Sequence, residues 1–283
     1  MPSPTNMSDA SVKLSASDLA WLTSRCTSVR RKIIEMAYRI KGSHVGSALS
    51  MADLVAVLFT RYLDLTRGLD HPERDYFVLS KGHGCMALYA ALSEIGVLHE
   101  EMLVAYGRAG SPLGVHPMVG TPGVEFACGS LGHGFSNAIG IALAGRLNGY
   151  DNRVYVLLGD GECNEGAVWE GAMFAPRYGL DNLVAMVDSN KFQCFDRTND
   201  IVPDRNLIQL WRTSGWSVRE IDGHDIEQIA AAYGQTPYEP GKPSLIFAHT
   251  VLGKGIPGLE NTIDAHYVPP TEQQYRDALA LLT

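Results

Sequence analysis

Four carboxylic acids crowd the stretch LLGDGECNEGAVWEGAMFA: Asp160, Glu162, Glu165 and Glu170. The apolar run RVYVLLGDG (153–161) leads into them, and a helical pattern from about Asn164 to Tyr178 follows, stopped by Gly179. One crossover later a second apolar run, NLVAMVDSN, ends in Asp188, Ser189 and Asn190. In parallel sheets, ligands sit at the carboxyl ends of the strands. Asp160 at one end offers a carboxylate, and Asn190 at the next offers an amide oxygen. Both are hard ligands suited to Mg²⁺ or Ca²⁺, and two protein ligands leave room for phosphate oxygens. Gly161 lets the backbone come close, and the helix N-terminus behind it favours anions. The pattern suits a metal-bridged diphosphate. Alone, Gly-Asp-Gly would read as a turn; the second strand end argues for a site.

The elements that must position these groups follow from periodicity. Ser15 to Asp18 fits a capping box, and Leu19, Leu22, Cys26, Val29, Ile33, Met36, Ala37 and Ile40 then recur at helical spacing. The Gly-rich KGSHVGSALS (41–50) interrupts, and Met51 to Leu63 reads as a second helix. DYFVLS (75–80) is a strand ending in KGHG, and MALYAALSEIG (86–96) is a helix. Residues 107–129, rich in Gly and Pro, form a long loop of the functional kind. A helix over 130–149 is entered through glycines, and WSVREIDG and PSLIFAHTV are two further strands around the helix DIEQIAAAYG. Continuous apolar strands alternating with helices predict an α/β fold: a doubly wound, mostly parallel sheet with helices on both faces. A loose tail over 1–17 precedes one domain over 18–283, with no internal repeat and no linker.

Composition narrows the function. Lys and Arg number 23 against 31 Asp and Glu, a net charge of −8, which argues against a nucleic-acid partner. No apolar run reaches the ~18 residues of a spanning helix, so no membrane partner is expected. The polar start is unlike a secretory signal. The five cysteines are scattered, with no close metal-ligand pair, as expected of reduced thiols in a cytoplasmic protein. Glycine, at 29 residues, is in excess and clustered, which suits tight turns around a ligand. Of nine histidines, His44, His83, His116 and His133 lie in or beside Gly- or Pro-rich loops, where imidazole can hold a phosphate or a sugar hydroxyl and move a proton near neutral pH. His71, His99, His224 and His249 read as structural or surface residues. Cys85, Cys128 and Cys163, beside the motifs, read as small buried fillers.

Five motifs in order, GSHVGSALSMAD, DYFVLSKGHG, GSLGHGFSNAIGIALA, GDGECNEGAVWEGAMFA and LDNLVAMVDSNKFQ, resemble the transketolase type of thiamine-diphosphate enzyme. The resemblance runs from about Val29 to Pro270 and is greatest to the separate N-terminal subunit of a split transketolase. It implies the diphosphate-binding (PP) domain of that fold. It also implies roles. Asp160, Asn190 and the carbonyl of Phe192 would bind Mg²⁺ or Ca²⁺. His83 and His266 would touch the diphosphate of thiamine diphosphate. Gly129 and Leu131 would lie against the cofactor, and Gly161 and Glu162 would meet its diphosphate side through backbone amides. His44 and His116 would line a funnel and, with His266, bind substrate hydroxyls. Glu165 and Glu170 match acids of a buried carboxylate relay at the dimer interface. The sequence departs from the commoner family pattern at Val45, where Pro usually follows the histidine, and His133 sits where transketolases differ.

The pyrimidine-binding domain of a full transketolase is absent, so the resemblance implies a partner chain that carries it, in a heterotetramer. The reaction implied is transfer of a two-carbon ketol unit from a ketose donor to an aldose or other acceptor, with sugars or sugar phosphates as substrates. Two alternatives stand beside it. One is a subunit of a 2-oxo acid decarboxylating enzyme with the same cofactor; SKGHG, and His116 with CGSLGHG, favour sugar handling. The other is a non-catalytic cofactor-binding homologue, against which Asp160, Asn190 and the matching histidines argue.

Overall fold

The apolar runs do form a parallel sheet. The computed structural model describes residues 14–202 and 207–282. Its strands are β1 (Tyr76–Leu79), β2 (Val154–Gly159), β3 (Leu183–Ser189), β4 (Ser217–Asp222) and β5 (Ser244–His249). All neighbours pair in parallel, in the order β1-β2-β3-β5-β4. The helices are α1 (Ala16–Ile40), α2 (Val45–Ser50), α3 (Ala52–Val57), α4 (Cys85–Glu94), α5 (Glu100–Val104), α6 (His133–Asn148), α7 (Gly166–Arg177), α8 (Thr198–Ile201), α9 (Leu207–Thr213), α10 (Ile226–Gly234), α11 (Asp264–Tyr267) and α12 (Glu272–Leu281).

Strand geometry sends alternate side chains to opposite faces. Tyr155, Leu157, Val184, Met186 and Ile246 join a core with α1, α3, α4 and α10. Val154, Val156, Leu158, Ala185, Val187 and Phe247 join a second core with α6, α7 and α9. Strands buried on both faces need apolar residues at every position, which is why they read as unbroken runs.

Local chemistry sets the ends. Ser15 caps α1 by accepting the Asp18 amide at 3.1 Å, and the Asp18 carboxylate takes the Ser15 hydroxyl at 2.9 Å. Of the expected tail, residues 1–13 lie outside the described residues; Leu14 packs against the core and α1 opens at Ala16. The single helix expected over Met51 to Leu63 is corrected. Helical structure begins earlier, at Val45, breaks at Met51, resumes as α3, and widens into a π turn at Leu58–Tyr62. Met51 sits at φ −97° and ψ 3°, off the helical values. The break leaves Ser50, the last residue of α2, with its hydroxyl 2.6 Å from Asp188 at the end of β3. The apolar period alone does not show this break, which coincides with a polar tertiary contact.

Candidate active site at the carboxyl ends of the sheet

β2 and β3 end side by side, with Gly159 in register with Asp188. Asp160 and Asn190, the next residues of interest on each strand, are both buried. Asp160 accepts the Gly161 amide at 2.9 Å on one oxygen, and the Lys191 amide at 2.8 Å and the Thr198 hydroxyl at 3.1 Å on the other. The Asn190 side-chain oxygen accepts the Phe192 amide at 3.1 Å, in a turn that puts Lys191 at φ 71°. Gly161 is needed for space: a Cβ there would come 2.7 Å from Gln193 Cβ.

Burial, then the nearby Asp188 carboxylate, pushes the Asp160 pKa up to about 7. Among the described residues no ammonium or guanidinium pairs with it. A buried, uncompensated carboxylate beside an amide oxygen is a donor set that a hard divalent cation fits and would relieve. Among the described residues no group of three or more His, Cys, Asp or Glu could hold a metal ion. An ion here would rest on Asp160, the Asn190 oxygen and the Phe192 carbonyl, completed by oxygens of its ligand.

Glu162, expected to act through its backbone amide, also has a side-chain role that the sequence did not show. Its buried carboxylate accepts the Ser80 hydroxyl at 2.5 Å, the Gly132 amide at 2.7 Å and the Gly159 amide at 3.1 Å. One side chain thus ties the ends of β1 and β2 to the start of α6. Burial raises its pKa, and these donors pull it back. Sequence reasoning assigned no role to Lys81 or to Asp188. Both are fully buried, and they form an ion pair across 107 residues of chain. The one available signal was a lysine following an apolar strand in SKGHG.

The structure brings four histidines from four separate segments to one mouth. His44 lies with its ring centroid 5.3 Å from His83, 6.2 Å from His116 and 5.1 Å from His266. His83 and His266 are 5.8 Å apart. His44 precedes α2 at φ 68°, where its amide bonds the His266 carbonyl at 2.8 Å and its Nδ1 meets the Ser43 hydroxyl at 2.9 Å. The approach is tight: a Cβ on Gly46 would strike Ala265 at 2.7 Å, and one on Gly82 would lie 1.8 Å from the Cys128 carbonyl. Burial lowers the pKa of all four, His83 far below its usual value and His266 to about 4. The Lys81 charge adds to the effect at His44, His83 and His266. The cluster is therefore neutral at pH 7, with ring nitrogens able to accept as well as donate.

His116 and His133 flank a cleft of about 470 Å³ that Cys128, Gly129 and Ser130 also line. The 107–129 loop supplies His116, whose carbonyl is held by the Tyr89 hydroxyl at 3.1 Å. Gly129 leaves the His116 ring uncrowded, since a Cβ would stand 3.9 Å from it, and Leu131 beside it is half-buried. His224 is structural, bridging Asp53 at 2.9 Å and the Val251 amide at 3.0 Å. Cys85, Cys128 and Cys163 are buried. Glu165 and Glu170 stand at the start and on the outer side of α7, exposed on the surface, and the same helix and its end expose Met173, Phe174 and Tyr178.

These features fit one class of protein: a parallel α/β domain with a cluster of neutral histidines and, at its strand ends, an oxygen-ligand corner, suited to a diphosphate-bearing cofactor. Residues 23–279 match the family model for the transketolase thiamine diphosphate binding domain. One of the subunits of apulose-4-phosphate transketolase from Phocaeicola vulgatus is 37% identical over 254 residues, covering 88% of this chain and 89% of that protein. The 6-deoxy-6-sulfo-D-fructose transketolase subunit SqwG of Clostridium sp. is 40% identical over 256 residues, covering 90% of this chain and 93% of that one. Among solved structures, the transketolase of Campylobacter jejuni superposes with a TM-score of 0.85 at 30% identity, over 92% of this chain. This chain spans 42% of that one. The chain belongs to the transketolase family and carries its thiamine-diphosphate-binding domain. It is a transketolase-type transferase subunit.

Proposed function

We propose that this chain is the diphosphate-binding half of an enzyme that transfers a two-carbon ketol unit from a ketose, free or phosphorylated, to an aldose or other acceptor. A second chain carries the pyrimidine-binding domain, and two copies of each form a heterotetramer. The observation that carries the reading is the meeting of His44, His83, His116 and His266 beside the Asp160 and Asn190 strand ends.

Thiamine diphosphate, when bound, supplies a nucleophilic carbon that can carry the ketol unit between sugars. This chain's residues hold it and manage protons. Asp160, the Asn190 oxygen and the Phe192 carbonyl hold Mg²⁺, or Ca²⁺, against the diphosphate. His83 and His266 donate to diphosphate oxygens, the amides of Gly161 and Glu162 face the same group, and Gly129 and Leu131 lie along the cofactor. His44 and His116, with His266, hold sugar hydroxyls. Being neutral, they can take a hydroxyl proton as a carbonyl forms and return it when an alkoxide develops. Glu165 and Glu170, exposed here beside Met173, Phe174 and Tyr178, become buried against other subunits. The chain works in the cytoplasm, in keeping with cysteines that form no disulfide among the described residues. No described helix is long and apolar enough to cross a membrane.

The test is ketol transfer from a panel of ketoses, with Mg²⁺ and cofactor, by the purified chain alone and by the chain copurified with its partner. Turnover only in the pair is expected. Robust turnover by this chain alone would overturn the two-chain reading.

A further inference from the structure

We propose that Lys81 is a positioning residue of the metal corner: through Asp188 it fixes which atom of the Asn190 amide faces the ion. The assignment rests on the metal reading given above.

Asp188 is fully buried at the end of β3, and four donors from four segments converge on it. One carboxylate oxygen receives the Lys81 ammonium, lies 2.6 Å from the Ser50 hydroxyl and accepts the Asn190 Nδ2 at 3.3 Å. The other receives the Thr250 hydroxyl, from the residue after β5. An ionised carboxylate only accepts hydrogen bonds. It therefore holds the amide of Asn190 by its nitrogen side, together with the Ser50 hydroxyl oxygen that it orients and that accepts the same Nδ2 at 3.4 Å, while Oδ1 accepts the Phe192 amide. Turned over, Asn190 would present an N–H pair, which cannot ligate a cation.

Asp188 can do this only if its charge is balanced. Asp160 and Glu162 are buried in the same layer, and Lys81, 1% exposed, is the cation paired with Asp188 there. The Lys81 ammonium is also anchored by the Ser47 carbonyl at 3.2 Å, which ties it to α2. Without that charge, the carboxylate would be drawn to the hydroxyls of Ser50 and Thr250, and its hold on Asn190 at 3.3 Å is the weakest of its contacts to lose. Partners that orient a ligand side chain matter to a metal nearly as much as the ligands do.

The test uses the full chain, copurified with its partner subunit, and titrates Mn²⁺ by electron paramagnetic resonance with thiamine diphosphate present. Lys81→Met should bind Mn²⁺ about 10- to 100-fold more weakly than wild type, the usual loss for such partners. Lys81→Met combined with Asp188→Asn removes the buried charge with its counter-charge, so this pair should fold where the single variant does not. The asparagine that replaces Asp188 can face Asn190 with either end of its amide, so this pair should also lose at least about tenfold in Mn²⁺ affinity. A folded double variant with wild-type Mn²⁺ affinity would overturn the assignment, and a merely structural ion pair predicts that result. Absence of Mn²⁺ binding by the wild type would instead overturn the metal reading on which it rests.

Discussion

Replacing Asp160 by asparagine should strengthen the metal-free chain while destroying its affinity for the metal-bound cofactor. The carboxylate is buried, and desolvation with the nearby Asp188 charge holds its pKa at about 7 against an ordinary 3.8. The folded state thus binds this proton more tightly than the unfolded chain does. For a carboxylate shifted in this direction, stability is lost as pH rises from about 4 to about 7 and stays low above that. At pH 8 the cost is about 4 kcal/mol, and at pH 5 about 2 kcal/mol. The Asp160→Asn variant would avoid that cost but keep only one acceptor oxygen for the amides of Gly161 and Lys191 and the hydroxyl of Thr198, a loss of about 1–2 kcal/mol. The net expectation at pH 8 is a gain on the order of 2 kcal/mol, shrinking by roughly 2–3 kcal/mol on going to pH 5. Urea unfolding in a chelator, for wild type and variant at both pH values, measures it. Calorimetry with Mg²⁺ and thiamine diphosphate, with the partner subunit present, should show wild-type heat and none for the variant. Losing a charged metal ligand costs several kcal/mol, well over tenfold in affinity at ~1.4 kcal/mol per decade. A variant less stable than wild type at pH 8 would refute the account of Asp160 as an uncompensated buried charge. Unchanged cofactor affinity would refute its role as a metal ligand.

Two other perturbations separate substrate handling from scaffolding. His44→Ala and His116→Ala should leave cofactor binding nearly intact by calorimetry but lower both kcat and kcat/KM for ketol transfer, because hydroxyl contacts strengthen in the transition state; wild-type turnover in both would remove their substrate role. Glu162→Gln should lower unfolding free energy by about 1–3 kcal/mol, since one amide oxygen cannot replace both carboxylate oxygens that serve Ser80, Gly132 and Gly159. Denaturant unfolding without cofactor reads that change, and an unchanged midpoint would show that the three-way tie is not needed.

The parallel sheet, the elements along it and the places where strands stop were legible in the sequence. Periodicity and unbroken apolar runs carry that information, because β2 and β3 are buried on both faces. The sequence also marked Asp160, Asn190 and the loop histidines, since polar residues at strand ends and in glycine-rich loops are costly or unneeded unless they meet a ligand. What those residues touch depends on how the chain packs. The sheet order β1-β2-β3-β5-β4 puts Lys81, Asp188, Asn190 and Thr250 in one buried layer. No local pattern encodes a contact such as Lys81 to Asp188, because the ion pair joins the ends of β1 and β3, which do not pair with each other and are brought near only by their shared neighbour β2. The same holds for the Glu162 side chain, to which local reading assigned no contact and which packing turns into a tie between two strands and α6. The break at Met51 was hidden for a related reason: an apolar period continues through it, while the Ser50 hydroxyl at the end of α2 meets a carboxylate 138 residues away.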